Sequence, residues 1–314
     1  LPRGLVDGDQ RHYISATLEN DLFGAGTDQN YTNGVRIGWF DTGRRPPHVV
    51  ERLQSWLPFL DINANTMVSY SVGQNLYTPD DISSREQDPG DRPWAAFAYG
   101  SIGLVTLRDE HMDEYEITLG VVGPLALGEP VQKTVHDIVG AVEPRGWDNQ
   151  LNNEPGVMLS WQRRWPMFLH AELSGTHVSM GSHIGLTAGN IYTYASTGAT
   201  LKVSSRAGRW ADKPLMVRPS IPGTGFFPMS DRPYWEVFLA FESRAMARNI
   251  FLDGNTFSDS HSIDKEPLVA DLSAGVAFTW GRLRAGYTLV YRTREFVGQD
   301  EEALFGAVSL GYIL

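Results

Sequence analysis

Residues 271–280 read DLSAGVAFTW. Successive side chains of an extended strand point to opposite sides, so Leu272, Ala274, Val276, Phe278 and Trp280 share one face and Asp271, Ser273, Gly275, Ala277 and Thr279 the other. One face is apolar and the other is small or polar. After a turn at Gly281-Arg282 the pattern resumes, with Leu283, Ala285, Tyr287, Leu289 and Tyr291 set against Arg284, Gly286, Thr288, Val290 and Arg292, which reads as a hairpin. The last segment places Val308, Leu310, Tyr312 and Leu314 opposite Ala307, Ser309 and Gly311. Residues 235–242 place Trp235, Val237, Leu239 and Phe241 opposite Glu236, Ala240 and Glu242.

Similar segments lie near 12–19, 31–41, 66–76, 94–107, 112–122, 156–165, 168–178 and 191–203, giving twelve strands, an even number. A soluble sandwich would also alternate, but its polar face would be rich in Lys and Glu. Here the second face is Gly, Ala, Ser and Thr with occasional charges, and aromatics favour the ends of the apolar face, as in the girdles of a membrane barrel. The expected fold is all-β: a twelve-stranded antiparallel transmembrane β-barrel with a short helix in the loop after strand 5, residues 1–314 forming one barrel domain. A soluble sandwich or barrel is the competing reading.

Composition narrows the function. The 314 residues carry 26 Lys plus Arg against 37 Asp plus Glu, a net charge of −11, which argues against a nucleic-acid partner, whose phosphates need clustered cations. There is no cysteine, hence no thiol nucleophile, thiolate metal site or disulfide. No run of eighteen apolar residues occurs, so a membrane-crossing helix is excluded, whereas strands of about ten residues can still cross. The chain starts without a basic and apolar leader, which fits either a non-secreted protein or one already trimmed.

In an up-and-down meander the odd-numbered linkers share one barrel end, where chemistry on loops is expected. The turns near 108–111, at Pro166-Met167 and at Gly281-Arg282 are tight and belong to the other end. The linkers 42–65 and 204–232 are longer, the first with a possible amphipathic helix through Val49, Leu53, Trp56 and Leu57. In the linker after strand 5, Pro130 opens a helical pattern whose stripe is Val131, Val135, Ile138, Val139 and Val142. That helix is expected to cap the barrel mouth. Gln132 and His136, spaced i, i+4, lie side by side at its border. His136 then has the setting of a general base, or that of a solvated helix histidine. Asn20-Asp21 offer oxygen ligands to Ca²⁺ or another hard cation, or form an ordinary turn. Thr32 sits at the top of strand 2. Arg85 and Arg92 can meet a substrate phosphate, or Asp91-Arg92-Pro93 is only an ion pair and rigid turn. No zinc-protease, serine-elbow, P-loop or EF-hand spacing is present.

Taken together, Asn20-Asp21, Asn30-Tyr31-Thr32-Asn33-Gly34, Gln74-Asn75-Leu76-Tyr77-Thr78-Pro79, Gly90-Asp91-Arg92-Pro93-Trp94, Val121-Val122-Gly123-Pro124, Gln132, His136, Gly140 and Trp147-Asp148-Asn149-Gln150 resemble the outer-membrane lipid A 3′-O-deacylase family. The resemblance covers about half the chain, chiefly 19–153. It implies a twelve-stranded outer-membrane barrel, with its active site facing the cell exterior, that removes a 3′-linked acyloxyacyl chain from the lipid A of lipopolysaccharide in a Ca²⁺-dependent reaction. It implies that His136 activates water, that Asn20 and Asp21 belong to the cation site, where the cation stabilises the oxyanion, and that Thr32 and Gln132 complete the catalytic set. The substrate-binding expectation rests on Arg85 and Arg92, and the chain departs from a member of that family with a lysine-rich run where Ser83-Ser84-Arg85-Glu86 stands here, with only one cation. The expected partners are lipopolysaccharide and outer-membrane lipids, with the protein itself monomeric.

Two rival functions remain open on sequence. One is an inactive barrel serving as a channel or structural envelope protein, its small inward residues Ala307, Ser309 and Gly311 leaving space while Arg284, Arg292 and Glu242 fill it. The other is a serine phospholipase using His12, His170, His177 or His183. No serine lies in a recognisable elbow, and His170, Glu172 and Ser174 read as lumen-lining residues.

Overall fold

The computed structural model describes residues 12–21, 24, 30–43, 46, 62–63, 65–207, 223 and 225–314. The segment holding Val49, Leu53, Trp56 and Leu57 lies outside them. The strands are β1 (His12–Asn20), β2 (Asn30–Asp41), β3 (Thr66–Thr78), β4 (Ala95–Leu107), β5 (Met112–Val122), β6 (Glu154–Leu173), β7 (Thr176–Gly189), β8 (Tyr192–Ser204), β9 (Ser230–Asn249), β10 (Leu268–Gly281), β11 (Leu283–Arg292) and β12 (Ala303–Ile313). Each pairs with its neighbours in sequence, and β1 closes on β12 through rows such as Thr17↔Ser309, giving a twelve-stranded closed antiparallel barrel. Closure leaves no sheet edge with unsatisfied N–H and C=O groups, the condition for a sheet in hydrocarbon. No described helix is long and apolar enough to cross a membrane.

The faces of β10 follow the alternation. Leu272, Val276, Phe278 and Trp280 point outward and are 48%, 52%, 50% and 68% exposed, while Asp271, Ala277 and Thr279 are buried inside. Gly281 has φ 59°, the left-handed conformation that lets the chain reverse at Gly281-Arg282. Exposed outer faces and a polar interior are inverted relative to a soluble sandwich.

One expected turn is displaced. Pro166-Met167 lies inside β6, at a register irregularity between Trp165 and Leu169, where a residue lacking an N–H is tolerated. The strand runs on to Leu173, and the reversal falls at Ser174-Gly175, with φ 49° and 79°, the doubly positive pair of a tight hairpin turn. Strand seven is therefore 176–189, not 168–178. β5 pairs with β6 only as far as Arg164, so His170 and Glu172 are exposed beyond the end of β5 and do not line the lumen.

The lumen is filled at three levels. At the tight-turn end, Tyr13, Phe40, Met67, Val105, Leu107, Met112 and Ile313 surround Phe227, with Phe226 packed alongside. At mid-height Asp271 lies 2.8 Å from both Arg244 and Arg292, Glu242 holds His183 at 2.8 Å and Arg244 at 2.7 Å, and Glu236 binds Lys202 and Arg284. Above them Tyr77 and Tyr192 share a hydrogen bond of 2.8 Å, and Tyr77 stacks on Phe251 of the short helix α2 (Ile250–Asp253) at 4.0 Å. Of the small inward residues, Ala307 is buried and Gly311 lies against Phe227, while Ser309 is partly exposed.

If the outer wall meets hydrocarbon, Val276→Arg destabilises the protein by about 2–4 kcal/mol. Denaturant titration in lipid bilayers, read by the gel shift between folded and unfolded barrel, checks this.

Candidate active site

The site forms where the chain leaves β5. Gly123, at φ 96°, donates its N–H to the Ala96 carbonyl at 3.1 Å, and Pro124–Ala126 make a 3₁₀ turn. Helix α1 (Gly128–Val139) follows. Gln74 Nε2 donates to the Ala126 carbonyl at 2.6 Å. A Cβ at Gly128 would lie 2.5 Å from Ala96 Cβ and 2.6 Å from the Trp147 ring, so only glycine lets the helix approach this closely. Leu76, Ile82, Trp94, Ala96, Ala126 and Trp147 form one buried cluster there.

Leu76 and Ala96 stand on the same faces of their strands as the exposed Val72 and Ile102, which is the outside of the barrel. α1 thus packs against the outer wall, not over the mouth. Its buried residues are Gly128, Gln132 and His136, one stripe at i, i+4, i+8, whereas Ile138, Val139 and Val142 are exposed. The helix is turned relative to the sequence expectation. Periodicity locates an apolar flank but not whether protein or lipid covers it.

Gln132 and His136 are 2% and 6% exposed. The Trp147 indole N–H donates to Gln132 Oε1 at 2.7 Å, which fixes the amide with its NH₂ available as a donor. That nitrogen is buried with no hydrogen-bond partner among the described residues. The His136 ring sets Nδ1 2.5 Å from the Val142 carbonyl. A carbonyl only accepts, so the neutral ring carries its proton on Nδ1 and Nε2 is the basic nitrogen. Trp147 belongs to a motif quoted above, but its tether to Gln132 was not legible there, and neither was the Val142 carbonyl.

Asn20 ends β1 on the outer side, in alternation with Leu18, and pairs with Asn33, which pairs in turn with Leu76 beneath α1. Two strand spacings, about 10 Å, separate Asn20 from Leu76. Asn20 therefore lies on the same outer wall as Leu76 and Ala96, against which α1 begins at Gly128. Asp21 follows at 2% exposure, its carbonyl accepting from the Gly24 N–H at 2.9 Å. Of Thr32 only the backbone is described: it is the extra residue in the irregularity between Tyr31 and Asn33, the type of bulge that accompanies active sites.

The two arginines separate. Arg85 is exposed, and its carbonyl accepts from Asn149 Nδ2 at 2.8 Å, which joins the loop after β3 to the loop after β5. Arg92 is fully buried, 3.3 Å from Glu295 and over the Tyr77 ring at 5.1 Å. This corrects both expected settings: Arg92 is buried away from an outside phosphate, and its ion-pair partner is Glu295, not the neighbouring Asp91, with Tyr77 beside it in the interior. His12 lies 3.4 Å from Asp41, His177 is 4.0 Å from Glu172 and His183 pairs with Glu242. Among the described hydrogen bonds, none joins these rings to a serine side chain.

For a hard cation, Asn20 and Asp21 supply two buried oxygen donors of the right kind. Among the described residues no group of three or more His, Asp or Glu is placed to hold a metal ion, so the remaining donors would have to be amide or carbonyl oxygens, water, or residues 22–29 that are not all described.

A closed barrel with an apolar outer wall and a lumen occupied by aromatic and ion-paired side chains defines an outer-membrane β-barrel protein. The family model of outer membrane protein LpxR matches residues 6–314, and the chain belongs to that family. Among solved structures, LpxR from Salmonella typhimurium superposes with a TM-score of 0.77 at 19% identity, covering 96% of this chain and 99% of that one. The β domain of the Bordetella autotransporter Brka gives a TM-score of 0.42 at 8% identity, covering 96% and 98%. No curated protein sequence matches the chain.

Two outcomes follow from this geometry. Gly128→Val forces α1 off the wall and lowers activity while the barrel still resists unfolding in detergent, which parallel activity and gel-shift assays measure. In the loop after β3, burial and the neighbouring Asp91 and Asp300 push the Asp80 carboxyl from 3.8 up to about 6, with Arg92 opposing. A raised carboxyl pKa contributes stability that is fully present below about pH 4 and lost as pH rises through about 6. Limited proteolysis of residues 79–93 should be faster at pH 7.5 than at pH ~4.5, and Asp80→Asn should remove the difference.

Proposed function

We propose that this protein is a lipid A 3′-O-deacylase of the outer membrane, hydrolysing the ester that links an acyloxyacyl chain to the 3′ position, at a site facing the cell exterior. Family membership supports the class. The observation that carries the reading is that α1 turns a polar stripe, Gly128-Gln132-His136, onto the outer wall. A helix with no chemistry to perform would bury its valines there instead.

His136 Nε2 takes a proton from water as that water attacks the ester carbonyl, the Val142 carbonyl holding the ring in the tautomer required. The carbonyl oxygen of the ester gains negative charge in this step. Gln132, held by Trp147, presents its amide N–H to that charge. Protonated His136 then returns the proton to the departing alkoxide. Asn20 and Asp21 would hold a divalent cation, Ca²⁺ by family resemblance, and such a cation supplies Lewis-acid polarisation of a carbonyl. Thr32, in the bulge beside Asn33, completes the set. Arg85, exposed on the loop tied to Asn149, is the cation for a lipid A phosphate.

The channel reading finds no support in a lumen occupied by Phe227, the Asp271 ion-pair group and the Tyr77–Tyr192 layer.

His136→Ala lowers acyl release about 10²- to 10⁴-fold, and Gln132→Ala about 10²- to 10³-fold, with the folded barrel retained in both. Mass spectrometry of lipid A from cells producing each variant, with and without Ca²⁺ chelation, is the test. An active His136→Ala protein defeats the mechanism, and unchanged lipid A in cells making the unmodified protein defeats the assignment.

A further inference from the structure

α1 has three flanks. At 3.6 residues per turn, Gly128, Gln132 and His136 form the stripe against the wall. Val131, Val135 and Ile138 run along one side of that stripe. On its other side lie Glu129 and Lys133, paired at 2.6 Å. The apolar flank is only partly covered by protein: Val131 packs against the Trp94–Trp147 cluster and Val135 is half-buried, while Ile138, at 78%, is the most exposed large apolar side chain described. Leu125 and Leu127 before the helix body and Val139 and Val142 at its end are also more than half exposed. A soluble helix would fold such a flank inward, yet here the inward place is held by an amide and an imidazole.

The surroundings identify what covers it. The Leu125 N–H is held by Asn153 Oδ1 at 2.8 Å, just above the rows Val121↔Pro155 and Leu119↔Val157 of β5 and β6. Leu119 and Val157 point outward and are exposed. They belong to the same apolar band as Ile117 and Leu159, the band that meets hydrocarbon in a membrane barrel. Apart from the exposed Asn153 that holds Leu125, the exposed apolar residues at the two ends of α1 continue the lipid-facing wall upward, and the ion-paired flank lies on the opposite side of the helix.

We infer that Leu125, Leu127, Ile138, Val139 and Val142 form a lipid-docking surface, seated among the acyl chains of the outer leaflet. α1 then lies partly sunk in the membrane like an interfacial amphipathic helix, with Glu129 and Lys133 at the level of the head groups, and the cleft between helix and wall opens sideways onto lipid. An ester reaches the cleft from within the leaflet. The docking surface goes beyond the proposed hydrolysis and stands apart from which bond is cut.

The absence of cysteine makes site-specific spin labelling free of background. The full-length protein is reconstituted in phosphatidylethanolamine–phosphatidylglycerol vesicles carrying a nitroxide on Ile138→Cys or Lys133→Cys, with Leu119→Cys as the lipid reference and Glu301→Cys as the solvent reference. Power saturation is measured with oxygen and with a water-soluble nickel chelate. The oxygen-to-nickel accessibility ratio at 138 is expected to match that at 119 and to exceed those at 133 and 301 several-fold. A label at 138 as open to nickel as the one at 301 overturns the proposal. As a second measurement, Ile138→Asp should slow hydrolysis of a vesicle-embedded lipid ester several-fold while leaving a short-chain ester in solution unaffected; equal rates on the vesicle ester before and after substitution count against it. Lack of any esterase activity in the unmodified protein would defeat the hydrolase reading alone, and the label measurement would still decide this one.

Discussion

The pairing of β1 with β12 is the constraint from which the rest follows. In hydrocarbon an unpaired backbone N–H or C=O has no water to turn to, and the rows from Tyr13↔Ile313 to Asn20↔Gly306 remove the last open edge. Closure divides every strand into a lipid face and a lumen face. Among the described residues the lumen of this barrel is occupied by aromatic and ion-paired layers. The proposed site lies on the outer wall, built by a loop that leaves β5 and returns through β6.

The lumen charges illustrate how costly such interiors are to alter. Asp271 lies between Arg244 and Arg292, and Glu242 between Arg244 and His183. Replacing a buried pair by apolar groups is often neutral, whereas deleting one partner leaves a stranded charge at a penalty of about 3–5 kcal/mol. These ion pairs tie β7, β9, β10 and β11 to one another inside the barrel. The wall determines where Ala96 and Leu76 stand, and through them the positions of Gln132 and His136.

Much of the barrel was legible because lipid and lumen impose opposite polarity at period two: the faces of 271–280, 283–292 and 307–314 follow directly from their residues. The β6–β7 turn was not, since Pro166-Met167 carries a turn signal while the reversal uses Ser174-Gly175, where backbone conformation decides. The site residues were legible as a set but their arrangement was not. Valines at helical spacing ordinarily mark a buried face, and only the packing of Gly128 on Ala96 reveals that the buried face is Gln132 and His136. Arg92 was misplaced for a related reason. A cation beside a proline in an outer loop looks available, yet the Tyr77 ring and Glu295 take it into the interior.

The aromatic cluster at the tight-turn end bears on how the cylinder shuts. Phe227 touches Tyr13 of the first strand, with ring centres 5.8 Å apart, and lies against Gly311 of the last, where an added Cβ would come within 2.9 Å of its ring. Gly225 approaches Ser15 just as closely. A linker from the middle of the chain thus spans the seam from inside, like a rivet set across the joint between the two ends of a rolled sheet. The seam is secured by backbone ladders on the wall and by an internal aromatic fastening, so the barrel's joint does not depend on hydrogen bonding alone.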